Sequence, residues 1–350
     1  MRFSTWCKRL LVISLASWAI ACQSSTQQPD TNSGKTPEVS SAGSTDCRTV
    51  QHEMGDTEIC GQPQTIVVLG PYLLEQLLAL GAQPSGYGDH IAFHQGDYDN
   101  PSQQIPYLGN KVTTQPVNVG LAYQPSIEAI VKAQPDLILA PGLEATQYEQ
   151  LTTIAPTLSL NIVGGNTNLS AIGQALGLSD RADALLAETN TRIEQAKAQF
   201  APVVKNHPQV LMLTSGDMQA FNTISHTNSR CGALVQDLGF QPVYLEDVAA
   251  DDPTSVAEIS IEALPELDDA DSILLFGYDW ETSSLTDMTA FEQQQTQTLK
   301  QAWEKNAIAQ SLTASKAGRV YFIPAYLCLG LPGPIGTELY LNELQIQLQP

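Results

Sequence analysis

The chain reads as an α/β protein of two lobes, each built on a central, mostly parallel sheet, with one long helix joining them. Three observations predict this. Short apolar runs ending at Gly alternate with stretches whose leucines recur at helical spacing. An ordered set of motifs occurs in both halves. Between the halves lies SDRADALLAETNTRIEQAKAQF (179–200), rich in helix formers and free of Gly and Pro.

In chain order, QTIVVLG (64–70) is a buried strand, and PYLLEQLLAL (71–80) is a helix opened by Pro and stopped at Gly81. Gln83-Pro84 begins another extended segment. After a long loop, a helix at 126–133 leads to a strand at 136–140, and a further strand lies near 157–163. The connecting helix covers 179–200, with Pro202 and Pro208 bounding it. The pattern then restarts: a strand at 210–214, a Gly/Asn/Ser-rich loop to Arg230, a helix at 231–238 stopped at Gly239, and Gln241-Pro242. Leu-Gly-x-Gln-Pro therefore occurs at 80–84 and 238–242. Ser-Ile-Glu-Ala occurs at 126–129 and 260–263, each copy followed about ten residues on by an Asp and an apolar strand. One tetrapeptide decides little, but several matches in the same order mark two related lobes.

The N-terminus carries Arg2, Lys8 and Arg9 ahead of an apolar stretch too short to span a bilayer, and ends in Ala19-Ile20-Ala21-Cys22. This resembles a bacterial lipobox. It implies a signal peptide at 1–21 and a lipid on Cys22, against the plainer reading of a secretory peptide that happens to hold a Cys. Residues 22–46 are rich in Gln, Ser, Thr and Pro and read as a flexible tether. Loss of the leader takes the 16 basic residues to 13 against 37 acidic, a charge of about −24. That balance argues against nucleic acid as a partner.

Four cysteines remain in the body: Cys47, Cys60, Cys231 and Cys328. In an exported chain an even number suggests two bridges out of three possible connectivities, the alternative being buried thiols. Nearness in sequence favours Cys47 with Cys60, which leaves Cys231 with Cys328.

The body from 47 to 350 resembles the substrate-binding proteins of bacterial ABC importers for ferric siderophores, haem and cobalamin. The resemblance rests on IVVLGPYLLEQLLALG, QPSIEAIVKAQPDLIL, the single long helix, KAGRVYFIP (316–324) and the opening segment CRTVQHEMGDTEICGQPQTIVVLG. It implies an N-terminal lobe at 47–165, a connecting helix region at 166–207 and a C-terminal lobe at 208–350, in the type with a helical backbone. It further implies one iron-chelate ligand in the cleft, no resident cofactor, a dimeric ABC permease in the cytoplasmic membrane as partner, and a monomer anchored on the periplasmic or cell-surface side. Glu128 and Glu262 fall where this group presents permease-docking carboxylates. The plainer reading is that each complements the positive end of its own helix.

The cleft is expected at the C-terminal ends of the strands. Tyr72 and Tyr87 are candidate ligand contacts there, as is the loop SGYGDHIAFHQGDYDN (85–100) with His90, His94 and Tyr98. His90 and His94, near Asp97 and Asp99, offer donors for a metal. Stacking on an organic ligand and a purely structural loop are the competing readings. From the second lobe come Arg230 at a helix start, suited to an anion, and Trp280 and Tyr326 as aromatic walls, although aromatics after strands also serve simply as packing. The chain has no Gly-x-Ser-x-Gly, His-Glu-x-x-His or P-loop, so it is not read as an enzyme. A metal-dependent hydrolase stays a remote alternative. Haem, cobalamin or free ferric ion stay as alternatives to a siderophore.

Overall fold

A computed structural model describes residues 46–224, 229–244, 257–279 and 288–349. The leader, Cys22 and Trp280 lie outside these. Two strands, β1 (Cys47–His52) and β2 (Gly55–Cys60), form an antiparallel hairpin whose first and last residues face each other in register. The Cys47–Cys60 disulfide closes it.

The first lobe follows, with β3 (Ile66–Leu69), α1 (Pro71–Ala79), β4 (Gly86–Asp89), α2 (Pro101–Gln104), β5 (Val117–Leu121), β6 (Gln124–Pro125), α3 (Ile127–Ala133), β7 (Leu137–Pro141), α4 (Ala145–Thr152), β8 (Thr157–Leu160) and α5 (Gly165–Ala175). Its sheet runs β6-β5-β4-β3-β7-β8, parallel except for β6. Both faces are covered. Ile66 and Val68 of β3 enter one core while Val67 and Leu69 enter the other, which explains its unbroken apolar run.

The connecting helix α6 (Ser179–Asn206) is 28 residues long, about 42 Å at the α-helical rise. It continues past the expected end: Pro202 lies inside it rather than bounding it. Proline's fixed φ suits a helix, and so near the C-terminus the missing N–H leaves just one carbonyl to satisfy. The buried face divides its service. Ala182 and Leu185 join the first lobe's core, whereas Ile193, Ala196 and Phe200 join that of the second.

The second lobe comprises β9 (Gln209–Ser215), β10 (Phe221–Thr223), α7 (Arg230–Asp237), β11 (Gln241–Pro242), β12 (Glu258–Ile259), β13 (Ser272–Gly277), α8 (Met288–Lys305), α9 (Ala307–Ser311), α10 (Thr313–Lys316), β14 (Val320–Pro324) and α11 (Pro334–Leu348). Its sheet runs β12-β10-β9-β13-β14, with β11 beside the start of β9. The second Ser-Ile-Glu-Ala starts a 3-10 helix, Ile261–Leu267, and not the expected α-helix; Pro265 sits inside it.

The repeated motifs prove to be structural equivalents. Strand β4, just after the first Leu-Gly-x-Gln-Pro, and β11, the Gln-Pro of the second, lie parallel against β3 and β9. Gly81 and Gly239 end α1 and α7 with φ of 85° and 101°, a conformation that favours glycine. The Asp136 carboxylate accepts the N–H groups of Gln64 and Thr65 at 2.8 and 2.9 Å, just before β3. In the second lobe Asp271 accepts that of Gln209, at 2.9 Å, where β9 begins. Each Asp thus pins the first strand of its lobe to the neighbouring one.

Candidate ligand cleft

Helix α1 begins at the C-terminal end of β3, and its second residue, Tyr72, folds back over Gly70. A Cβ at Gly70, where φ is 99°, would stand 2.3 Å from the Tyr72 ring. Next to it β4 presents Tyr87 and Asp89, both buried. The Asp89 Oδ1 accepts the backbone N–H of His90 at 2.7 Å and meets His90 Nδ1 at 2.8 Å. The loop after β4 is not helical. It brings Tyr98 against Tyr87, with ring centroids 5.3 Å apart, and lays His94 on Tyr98 at 5.3 Å. His94 Nε2 lies 3.1 Å from the Asp97 carbonyl oxygen. The two histidines therefore have different partners. Among the described residues, the one convergent set of metal-ligand atoms from His, Cys and acidic side chains is Cys47, Glu58 and Cys60, and there the two thiols are already joined.

The second lobe meets this wall from the far side. Tyr326 opens a single π-turn, Tyr326–Gly330, after β14, and Phe291 stands near the start of α8. The Tyr326 ring contacts His90 and Tyr107 at 5.2 Å and Phe291 at 5.5 Å. Phe291 also meets Phe93 at 5.5 Å. Tyr107 holds φ of 58°, a strained value for an aromatic residue and one typical of functional positions.

The hydroxyls of Tyr72, Tyr87, Tyr107 and Tyr326 and the Asp89 Oδ2 are buried without an aligned hydrogen bond. Tyr87 lies beside Asp89, and Tyr72 beside Tyr123, but neither pair forms a well-directed bond. Burial pushes the phenols of Tyr72, Tyr87, Tyr98 and Tyr326 upward, and the nearby Asp89 carboxylate adds to the shift. They remain neutral O–H donors over the physiological range. Donors and an acceptor left unmet in a buried cluster are costly unless a ligand meets them.

Arg230 is the first residue of α7, behind a Ser229 cap that accepts from Gly232 N at 3.2 Å. Its guanidinium donates to Thr337 Oγ1 at 3.3 Å, while burial lowers its pKa against the raising effect of Asp237 and Glu75. Glu75, on α1, is fully buried. Its carboxylate accepts the backbone N–H groups of Gly333 and, at 3.0 Å, Gly336, where α11 begins. Burial raises it to about 7, with those N–H groups and Arg230 opposing. The Cys231–Cys328 disulfide ties the residue after Arg230 to the turn that carries Tyr326. Both bridges thus follow the pairing favoured by sequence.

Residues 66–327 match the periplasmic binding protein family. The chain belongs to that family. Among its relatives, the probable siderophore-binding lipoprotein YfiY of Bacillus subtilis (strain 168) is 28% identical over 90% of this chain and 91% of its own length. The Fe(3+)-citrate-binding protein YfmC of the same organism is 27% identical over 89% of this chain and 87% of its own. Staphylococcus aureus SirA, solved in complex with staphyloferrin B, has the same fold, with a TM-score of 0.66 and 21% identity over 86% of this chain and 98% of its own.

Of the candidates read from sequence, the periplasmic binding protein fold brings Tyr72, Tyr87, His90, Tyr98 and Tyr326 into one cluster. His94 stands at its edge, Arg230 beside Glu75, and Trp280 outside the description. Sequence reasoning missed Asp89, Tyr107, Phe93, Phe291 and Glu75. Asp89 was legible as the last residue of a short strand directly before His90. Nothing local marks Tyr107 or Phe291, which tertiary contact alone brings together.

Proposed function

We propose that this protein is the substrate-binding lipoprotein of an ABC importer, and that it captures a ferric siderophore between its lobes and delivers it to the permease. The observation that carries this reading is the buried phenol cluster drawn from both lobes, whose hydroxyls lack aligned partners. A compact, oxygen-rich octahedral chelate meets such a wall through ring contacts and accepted hydrogen bonds. The family matched is a class of substrate-binding proteins, and binding without catalysis fits a cluster of neutral donors. The names of YfiY and YfmC point to iron chelates, and the lipoprotein names among the relatives agree with an exported, lipid-anchored chain, here through Cys22.

Glu128 and Glu262 belong to permease docking. Both are exposed near the start of their helices, beside strands that end at the cleft. Such rim charges steer association and set register. Trp303 is buried in the second lobe, so the mature protein carries its own fluorescence reporter. Titration with ferric siderophores, haem, cobalamin and ferric ion should give saturable quenching with a siderophore. Saturable quenching by haem or cobalamin alone replaces the ligand, and no saturation with any of them sinks the reading.

A further inference from the structure

We infer that the ligand of this cleft is a ferric chelate without net negative charge, of the neutral or cationic hydroxamate class. The inference rests on the iron-chelate reading above and narrows it by charge.

An anionic chelate needs cations at its site, and after residue 46 every Lys and Arg of the chain is a described residue. Arg48 is committed to the carbonyls of Gly61, Gln174 and Ala175. The connecting helix holds Arg181, Arg192, Lys197 and Lys205, the two arginines in ion pairs with Glu188 and Glu338. Lys132, Lys305 and Lys316 occupy the last turns of their helices, and Arg319 donates to the Asp271 carbonyl where β13 begins. Lys111 lines a cavity against the connecting helix, and Lys300 one beside Gly318 and the start of β14. No Lys or Arg is among the charges that act on the phenols of Tyr72, Tyr87, Tyr98 and Tyr326.

That leaves Arg230, a single cation whose guanidinium donates to Thr337 and whose charge is opposed by the nearby carboxyls of Glu75 and Asp237. The stretches 225–228, 245–256 and 280–287 carry Glu246, Asp247, Asp251, Asp252, Glu281 and Asp287 against one histidine, His226, and neither Lys nor Arg. The cleft itself holds a buried carboxylate. Asp89 is 2% exposed, and its charge reaches Tyr72, Tyr87, Tyr98 and Tyr326. Glu292 and Glu343 add negative charge near the Tyr107 hydroxyl.

Three catecholates leave ferric iron with three negative charges, and buried Asp89 repels them in a medium of low dielectric. Three hydroxamates leave no charge. Their carbonyl and N–O oxygens accept from the unmet phenols, and an appended ammonium gains from Asp89. Recognition by hydroxyl donors requires no fork of arginines.

The test is a charge series on the mature protein, read by intrinsic fluorescence. The probes are ferrichrome (a neutral trihydroxamate), ferrioxamine B (its monocationic counterpart), ferric citrate and ferric enterobactin (a trianionic triscatecholate). At least one hydroxamate should bind on the order of a hundredfold tighter than either anionic chelate, with little loss on adding salt. Asp89→Asn, checked for folding by circular dichroism, should narrow the gap between ferrichrome and ferric enterobactin about tenfold. Tightest binding to ferric enterobactin or ferric citrate, weakening with salt, overturns the inference and leaves siderophore capture standing. If none of the four binds, the underlying reading falls as well.

Discussion

A buried hydroxyl without an aligned partner is a debt that a ligand can settle, and Tyr107 and Tyr326 hold the two clearest examples. Replacing either with Phe keeps the ring and its packing while removing the donor. The expected result is a chelate affinity about fivefold weaker with the melting temperature within a few degrees of wild type, since one neutral hydrogen bond contributes about 1 kcal/mol. Glu75 makes a different statement. Its folded value of about 7 lies above the ordinary 4.5, so the native state holds this proton more tightly than the unfolded chain does. Its contribution to stability is therefore full below pH 4.5 and is lost as pH rises to 7, by about 3 kcal/mol. Glu75→Gln cannot ionise. Its urea midpoint should start lower, through the loss of one acceptor for Gly333 or Gly336, and then fall less than that of wild type between pH 5 and pH 8. Parallel midpoints across that range would refute the assignment. At this scale sequence showed which residue types converge but not which atoms stay unmet, because burial and alignment are tertiary properties.

At the scale of the element, the two halves could be read from sequence because their repeats perform the same physical tasks. Glycine was needed at 81 and 239 for a left-handed stop, and Asp at 136 and 271 to catch the start of β3 and β9. The connecting helix was legible from its composition, whereas its true end was not. Pro202 looked like a terminator, yet the final turn tolerates it. The second Ser-Ile-Glu-Ala shows the reverse failure, since Pro265 converts the expected α-helix into a 3-10 turn. The Cys231–Cys328 bridge closes a 97-residue separation and joins two elements, while Cys47–Cys60 closes 13 within a hairpin. Cys231→Ser with Cys328→Ser should cost about 2–5 kcal/mol in urea denaturation and weaken chelate binding. Cys47→Ser with Cys60→Ser should cost less and leave binding intact, because the hairpin lies outside the cleft.

For the molecule as a whole, one helix feeds both cores, so the lobes share a rigid back and meet through rings of Tyr326 and Phe291 on one side and His90, Phe93 and Tyr107 on the other. On the proposed docking role, Glu128 and Glu262 supply one charged anchor per lobe. Reversing both to Lys should abolish uptake of the iron chelate by cells while purified protein binds it with unchanged affinity. Normal uptake with intact binding would refute the docking role. The two-lobed plan was visible in sequence because duplication leaves ordered traces along the chain. The inter-lobe contacts were not, since they join residues more than 180 positions apart that no spacing rule connects.

The second disulfide also sets an order of events. Arg230 adjoins Cys231 and Tyr326 lies two residues before Cys328, so oxidation of those thiols ties these two parts of the second lobe's face to one another. Thiols stay reduced in the cytosol. On the proposed export, a newly made chain therefore carries an unfinished cleft until it has left the cytosol.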